Sequence, residues 1–147
     1  MYAERIQYTV RSLPIADYLF QVGAESNSYP LIAPLLIERK TAEDLAMSMV
    51  DGRWLSQKSA MLDVRRNVFN GSCRIVYVIE GTIESASAKC CDKRCIGRHG
   101  WPGLNECNQA LAALKDEGIE MVPTSGERGT VNYLVECASA LEAMAMA

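Results

Sequence analysis

The chain has 147 residues, of which 49% are apolar and 22% charged, with a net charge of −3. These values suit one globular domain with a real core and exclude a disordered tail, a collagen-like fibre and a coiled coil. No apolar run approaches the roughly 20 residues that cross a bilayer, and the first residues carry no apolar signal core, so no membrane role is expected. Six cysteines without a signal segment read as reduced thiols or metal ligands rather than a disulfide framework.

From Arg5 to Leu13, Ile6, Tyr8 and Val10 alternate with Gln7, Thr9 and Arg11, which predicts a half-buried strand ended by Pro14. Tyr18 to Val22 reads as a second short strand, and Gly23 to Pro30 as a turn. Leu35, Leu36 and Ile37 run into Glu38, Arg39 and Lys40, as in a central strand that ends in charge where the sheet meets solvent. Thr41, followed by Glu43 and Asp44, predicts a capped helix start, with Leu45, Ala46, Met49 and Val50 at helical spacing. After the Asp51-Gly52 break, a second helix is expected from about Trp54 to Val68.

Ile75 to Ile79 is a β-branched run that predicts another buried strand. Gly81 to Gly103 reads as a loop, Leu104 to Leu114 as a helix, Ile119 to Val122 as a strand and Val131 to Met144 as a closing amphipathic helix. Strands at the front followed by strand-helix alternation imply a single α/β domain over residues 1–147, with a mixed central sheet flanked by helices.

Charge is uneven. Asp51 to Arg74 holds five basic residues (Arg53, Lys58, Arg65, Arg66, Arg74) against two acids, whereas Glu106 onward holds seven acids against Lys115 and Arg128. A polyanion would meet the middle of the chain, although solvated helix faces account for the same charges, and Arg65 and Arg66 are read that way.

Five residues are informative: Asp17, Glu38, Arg39, Lys40 and Asp44, although Glu-Arg-Lys at a strand end before a capped helix by itself equally suits a surface edge. Alternate strand residues share a face, so Glu38 and Lys40 point one way and Arg39 the other. If the Tyr18–Val22 strand pairs beside Leu35–Lys40, Asp17 falls close to Glu38. Two carboxylates beside a lysine is the donor set of metal-dependent phosphodiester hydrolysis: oxygen ligands for Mg²⁺, and an ammonium for the attacking water or the developing charge.

The series Asp17-x(20)-Glu38-Arg39-Lys40-x(3)-Asp44, preceded by Leu13-Pro14-Ile15-Ala16-Asp17-Tyr18-Leu19, resembles the signature of the XPF-type structure-specific endonucleases. Asp51-Gly52-Arg53, then Gln57-Lys58, then Ile75 to Glu80, extends the resemblance toward the family's Mus-type branch, the crossover-junction endonucleases. It is carried mainly by residues 5 to 80 and fits Leu104–Met144 more loosely.

The resemblance implies a restriction-endonuclease-like fold that cuts flaps, forks and nicked junctions in DNA repair and recombination in the nucleus. It implies Asp17 and Glu38 as ligands of Mg²⁺ (or Mn²⁺), Lys40 as catalytic base or water-orienting cation, and Arg39 as a structural or phosphate-contacting residue. Asp44 would hold Arg39 or a metal-bound water, and Arg53, Gln57 and Lys58 would contact DNA. The implied partner is a non-catalytic Eme-type subunit, or a second copy. A non-catalytic DNA-binding or pairing subunit that keeps the nuclease fold is the alternative, which the retained acids and lysine disfavour.

Four departures from the family pattern stand out. Ala16 occupies the usual glycine position, which strains the backbone if φ is positive there. The family's first strand, with its Asp-x-Arg-Glu motif, is expected to be lacking, as is the tandem helix-hairpin-helix region. Finally, Cys91, Cys95, His99 and Cys107, in and just beyond an insertion at about 81–103, supply four soft ligands for a tetrahedral Zn²⁺ site or are incidental thiols. Cys73 and Cys137 read as small buried hydrophobes.

Overall fold

A computed structural model describes residues 6–23, 31–88 and 102–146. Four strands form one sheet in the order β1-β2-β3-β4: β1 (Tyr18–Val22), β2 (Leu31–Thr41), β3 (Arg74–Glu80) and β4 (Glu120–Thr124). The β1–β2 pair is antiparallel, while β2–β3 and β3–β4 are parallel. Two helices, α1 (Ala42–Val50) and α2 (Arg53–Asn67), connect β2 to β3. Two more, α3 (Ile83–Ala88) and α4 (Leu104–Asp116), lie between β3 and β4, and α5 (Glu127–Met146) follows β4. This is the mixed α/β sheet flanked by helices that the sequence predicts.

The continuous apolar runs of β2 and β3 follow from burial on both faces. Leu36, Ile75, Tyr77 and Ile79 pack beneath Leu45, Ala46, Trp54, Met61, Cys107 and Leu114 from α1, α2 and α4. On the opposite face, Leu35, Ile37, Val76 and Val78 meet Tyr133, Leu134, Cys137 and Leu141 of α5. Glu38 and Lys40 share the face of Leu36, under α1 and α2, and Arg39 shares the face of Ile37, under α5. Thr41 caps α1 through a 3.1 Å bond from the Asp44 amide to its Oγ1 atom.

Two expectations need correction. Residues 6–13 form no strand, and Tyr8 and Val10 are 85% and 87% exposed: the alternation is there, but no neighbouring strand among the described residues takes up its hydrogen bonds. The segment read as loop contains α3, seated by buried Ile83 and Ala86. The predicted turn at 23–30, beyond Gly23, and most of the cysteine-rich insertion lie outside the described residues.

Candidate active site

Asp17 sits one residue before β1. The register Tyr18↔Ile37 continues through a 2.9 Å bond from the Asp17 amide to the Ile37 carbonyl, which sets Asp17 against Glu38. The Asp17 carboxylate is fixed in turn, its Oδ2 accepting a 2.8 Å bond from the Arg39 amide. The residue before it, Ala16, has φ +58°, the left-handed conformation that favours glycine, so this departure from the family pattern stores strain next to an acid of the site.

Glu38 and Lys40 are buried, at 5% and 4% exposure, with Lys40 Nζ 3.7 Å from Glu38 Oε1. Burial, reinforced by the Asp17 charge, pushes the Glu38 carboxyl up to about 7 against the opposing pull of Lys40. The Lys40 ammonium donates a 2.8 Å hydrogen bond to Gln57 Oε1 on α2. Thus the structure brings together Asp17, Glu38, Lys40 and, through Lys40, Gln57.

Arg39 turns to the other face. Its Nε and one terminal nitrogen donate to both carboxylate oxygens of Glu80 at 2.7 Å each, a planar fork matched to a carboxylate. Glu80 also accepts a 2.6 Å bond from the Thr130 hydroxyl on α5. The bonds from Arg39, aided by Thr130, hold the Glu80 carboxyl below the usual carboxylate range despite burial. The expected hold of Asp44 on Arg39 is therefore replaced by Glu80. Asp44 is exposed in the first turn of α1, and among the described residues no cluster of three His, Cys, Asp or Glu converges as for a metal. Glu80 and Thr130 escaped sequence reasoning. An acid ending a strand parallel to β2 is a faint signal for Glu80, and nothing local marks Thr130.

The three residues expected at DNA separate. Arg53 is exposed and pairs with Asp51 at 2.7 Å. Gln57 is engaged by Lys40. Lys58 turns inward, 2.8 Å from Glu117 and 5.4 Å above the Trp54 ring, because its place on the buried stripe of α2 directs it to α4 rather than to solvent. Arg65 bonds the Glu117 and Gly118 carbonyls at the end of α4, a structural role. Of the four expected zinc ligands, Cys107 is fully buried in the core as a small hydrophobe, while Cys91, Cys95 and His99 lie outside the described residues. Cys73 is buried as expected, and Cys137 is only partly so.

Comparison with known proteins bears on the family and the fold. The model of the ERCC4 domain matches residues 1–137. A probable crossover junction endonuclease mus81 of Dictyostelium discoideum is 28% identical over 137 residues, covering 88% of this chain and 14% of its own length. The solved structure of XPF from Aeropyrum pernix in complex with DNA superposes with a TM-score of 0.55 at 23% identity, over 91% of this chain and 52% of that one. The chain therefore spans about a seventh of the curated relative and about half of the solved one. With the match over nearly its whole length, and the acids and lysine of the signature gathered at one strand end, the chain belongs to the ERCC4 domain family, the XPF/Mus-type nucleases.

Proposed function

We propose that this chain is the nuclease domain of a structure-specific endonuclease that hydrolyses phosphodiester bonds in branched DNA, in nuclear repair and recombination. The reading rests above all on Asp17, just before β1, lying against Glu38 of β2, with the Lys40 ammonium 3.7 Å from Glu38. The DNA substrate is supported by the name of the crossover-junction relative and by the DNA-bound state of the structural neighbour. Pairing with an Eme-type subunit or a second copy belongs to the same proposal, as does the treatment of residues 1–147 as one domain.

The donor set fits Mg²⁺. Two carboxylates, with no third acid, cysteine or histidine converging on them among the described residues, suit a hard cation that keeps waters and takes phosphate oxygens, rather than a closed zinc site. Burial first and the Asp17 charge second raise the Glu38 carboxyl to about 7, and a divalent ion bound there would favour its ionised form. When bound, the ion would acidify a water and screen the phosphate. Asp17 and Glu38 would hold it. Lys40 presents a fixed positive charge in a largely desolvated setting, where it stabilises charge on the phosphate more strongly than it would in water. Arg39, tied to Glu80, holds the end of β2 in place, and its amide orients Asp17.

The test is incubation of the protein, alone and with candidate partner subunits, with labelled flap, fork and linear DNA in Mg²⁺ or EDTA. Mg²⁺-dependent cleavage of branched over linear DNA supports the reading. Branched-DNA binding without cleavage in every combination would move it to a non-catalytic subunit.

A further inference from the structure

Lysine ends in a flexible four-carbon stem with three donors and no preferred direction, so an ammonium that acts at a fixed point needs an acceptor to aim it. Glu38 Oε1, at 3.7 Å, is too distant to hydrogen-bond Lys40 Nζ. Gln57 Oε1, at 2.8 Å, does so. The helix that carries Gln57 is itself pinned. Trp54 packs on Tyr77 with ring centroids 5.1 Å apart, Lys58 bonds Glu117 at 2.8 Å, and Arg65 clasps the end of α4. Trp54, Gln57, Lys58 and Met61 recur at i, i+3, i+4 and i+7, so the stripe that buries α2 also delivers the amide oxygen to Lys40.

We infer that Gln57 is the positioning residue for Lys40, holding its ammonium beside Glu38, and is not a DNA contact as the family resemblance implies. The inference rests on the proposed nuclease reading for its catalytic consequence, but its geometric content is independent of turnover.

Two variants test it. Gln57→Met fills similar space without the amide oxygen, and Gln57→Glu keeps an oxygen at the same reach. Gln57 is only half-buried, so both should fold, which thermal melting checks. With an amine-reactive ester as probe and mass spectrometry as readout, Lys40 should be modified several-fold faster in Gln57→Met and at the original rate in Gln57→Glu. At saturating flap DNA and Mg²⁺, Gln57→Met should lower the single-turnover rate by about 10- to 100-fold while the DNA Kd stays within about two-fold. Unchanged Lys40 modification in Gln57→Met overturns the inference. So does a DNA Kd weakened about ten-fold at an unchanged saturated rate, the result for a DNA contact. If the original protein cleaves nothing, alone or with candidate partner subunits, the nuclease reading fails, while the labelling still decides whether Gln57 holds Lys40.

Discussion

The Oδ2 atom of Asp17 accepts a 2.8 Å hydrogen bond from the backbone amide of Arg39, so the acid just before β1 is aimed by the strand that carries Glu38 and Lys40. Arg39 thereby serves both faces of the sheet: its amide orients Asp17, and its side chain locks to Glu80 and, through it, to Thr130 of α5. The geometry of the site is set by residues on four elements and the turn that leads into β1.

That turn is strained at Ala16, where φ is +58°. Ala16→Gly should relieve the left-handed penalty, offset in part by the extra freedom glycine has in the unfolded chain. The expected net gain is about 0.5–1 kcal/mol in denaturant unfolding. A loss of stability would show that the packing of the Ala16 methyl on the core outweighs the backbone strain.

Stability should depend on pH through Glu38. Its carboxyl is raised to about 7 in the fold, so the folded chain holds a proton that the unfolded chain has already released. The contribution is fully present below the ordinary carboxylate range and is lost as pH rises through about 7. Without divalent ions, melting temperature should fall over that window. Glu38→Gln should flatten the fall and melt higher than the original protein at pH 8, and an identical pH profile in the variant would refute the assignment.

The Tyr77 hydroxyl is buried and, among the described residues, has no hydrogen-bond partner. Burial first, then the Glu38 charge, pushes its pKa upward. Tyr77→Phe removes the orphan group without opening a cavity and should stabilise the fold by about 1 kcal/mol. Unchanged or lower stability in thermal melting would mean that the hydroxyl is satisfied in solution.

Much of the fold was legible locally. Ile75 to Ile79 announced a strand buried on both faces and Thr41 announced its helix, while the candidate site was pointed to by the resemblance of the Asp17-to-Asp44 series to a family signature rather than by its spacing alone. What escaped was long-range pairing. Arg39 finds Glu80 41 residues away and Lys58 finds Glu117 59 residues away, distances at which no local pattern names a partner. The Ile6–Val10 alternation misled for the converse reason: a strand pattern without a neighbouring strand has nowhere to place its backbone hydrogen bonds.

The Thr130 hydroxyl donates to Glu80 at 2.6 Å and lies 3.1 Å from the Thr124 hydroxyl. Thr130→Val keeps the shape and removes the bond to a charged acceptor, so it should cost about 1.5–3 kcal/mol. Thr130→Ser should restore most of that loss. Equal stability of the Val and Ser variants in urea unfolding would show that the hydroxyl contributes nothing to the Arg39–Glu80 clamp.

The central claim is that Asp17 and Glu38 together hold a divalent cation. Calorimetric titration of Mn²⁺ into the original protein, Asp17→Asn and Glu38→Gln tests it without requiring turnover. One ion per chain in the original protein, with binding lost in both variants, is the predicted result. Undiminished Mn²⁺ binding in either variant would contradict the account.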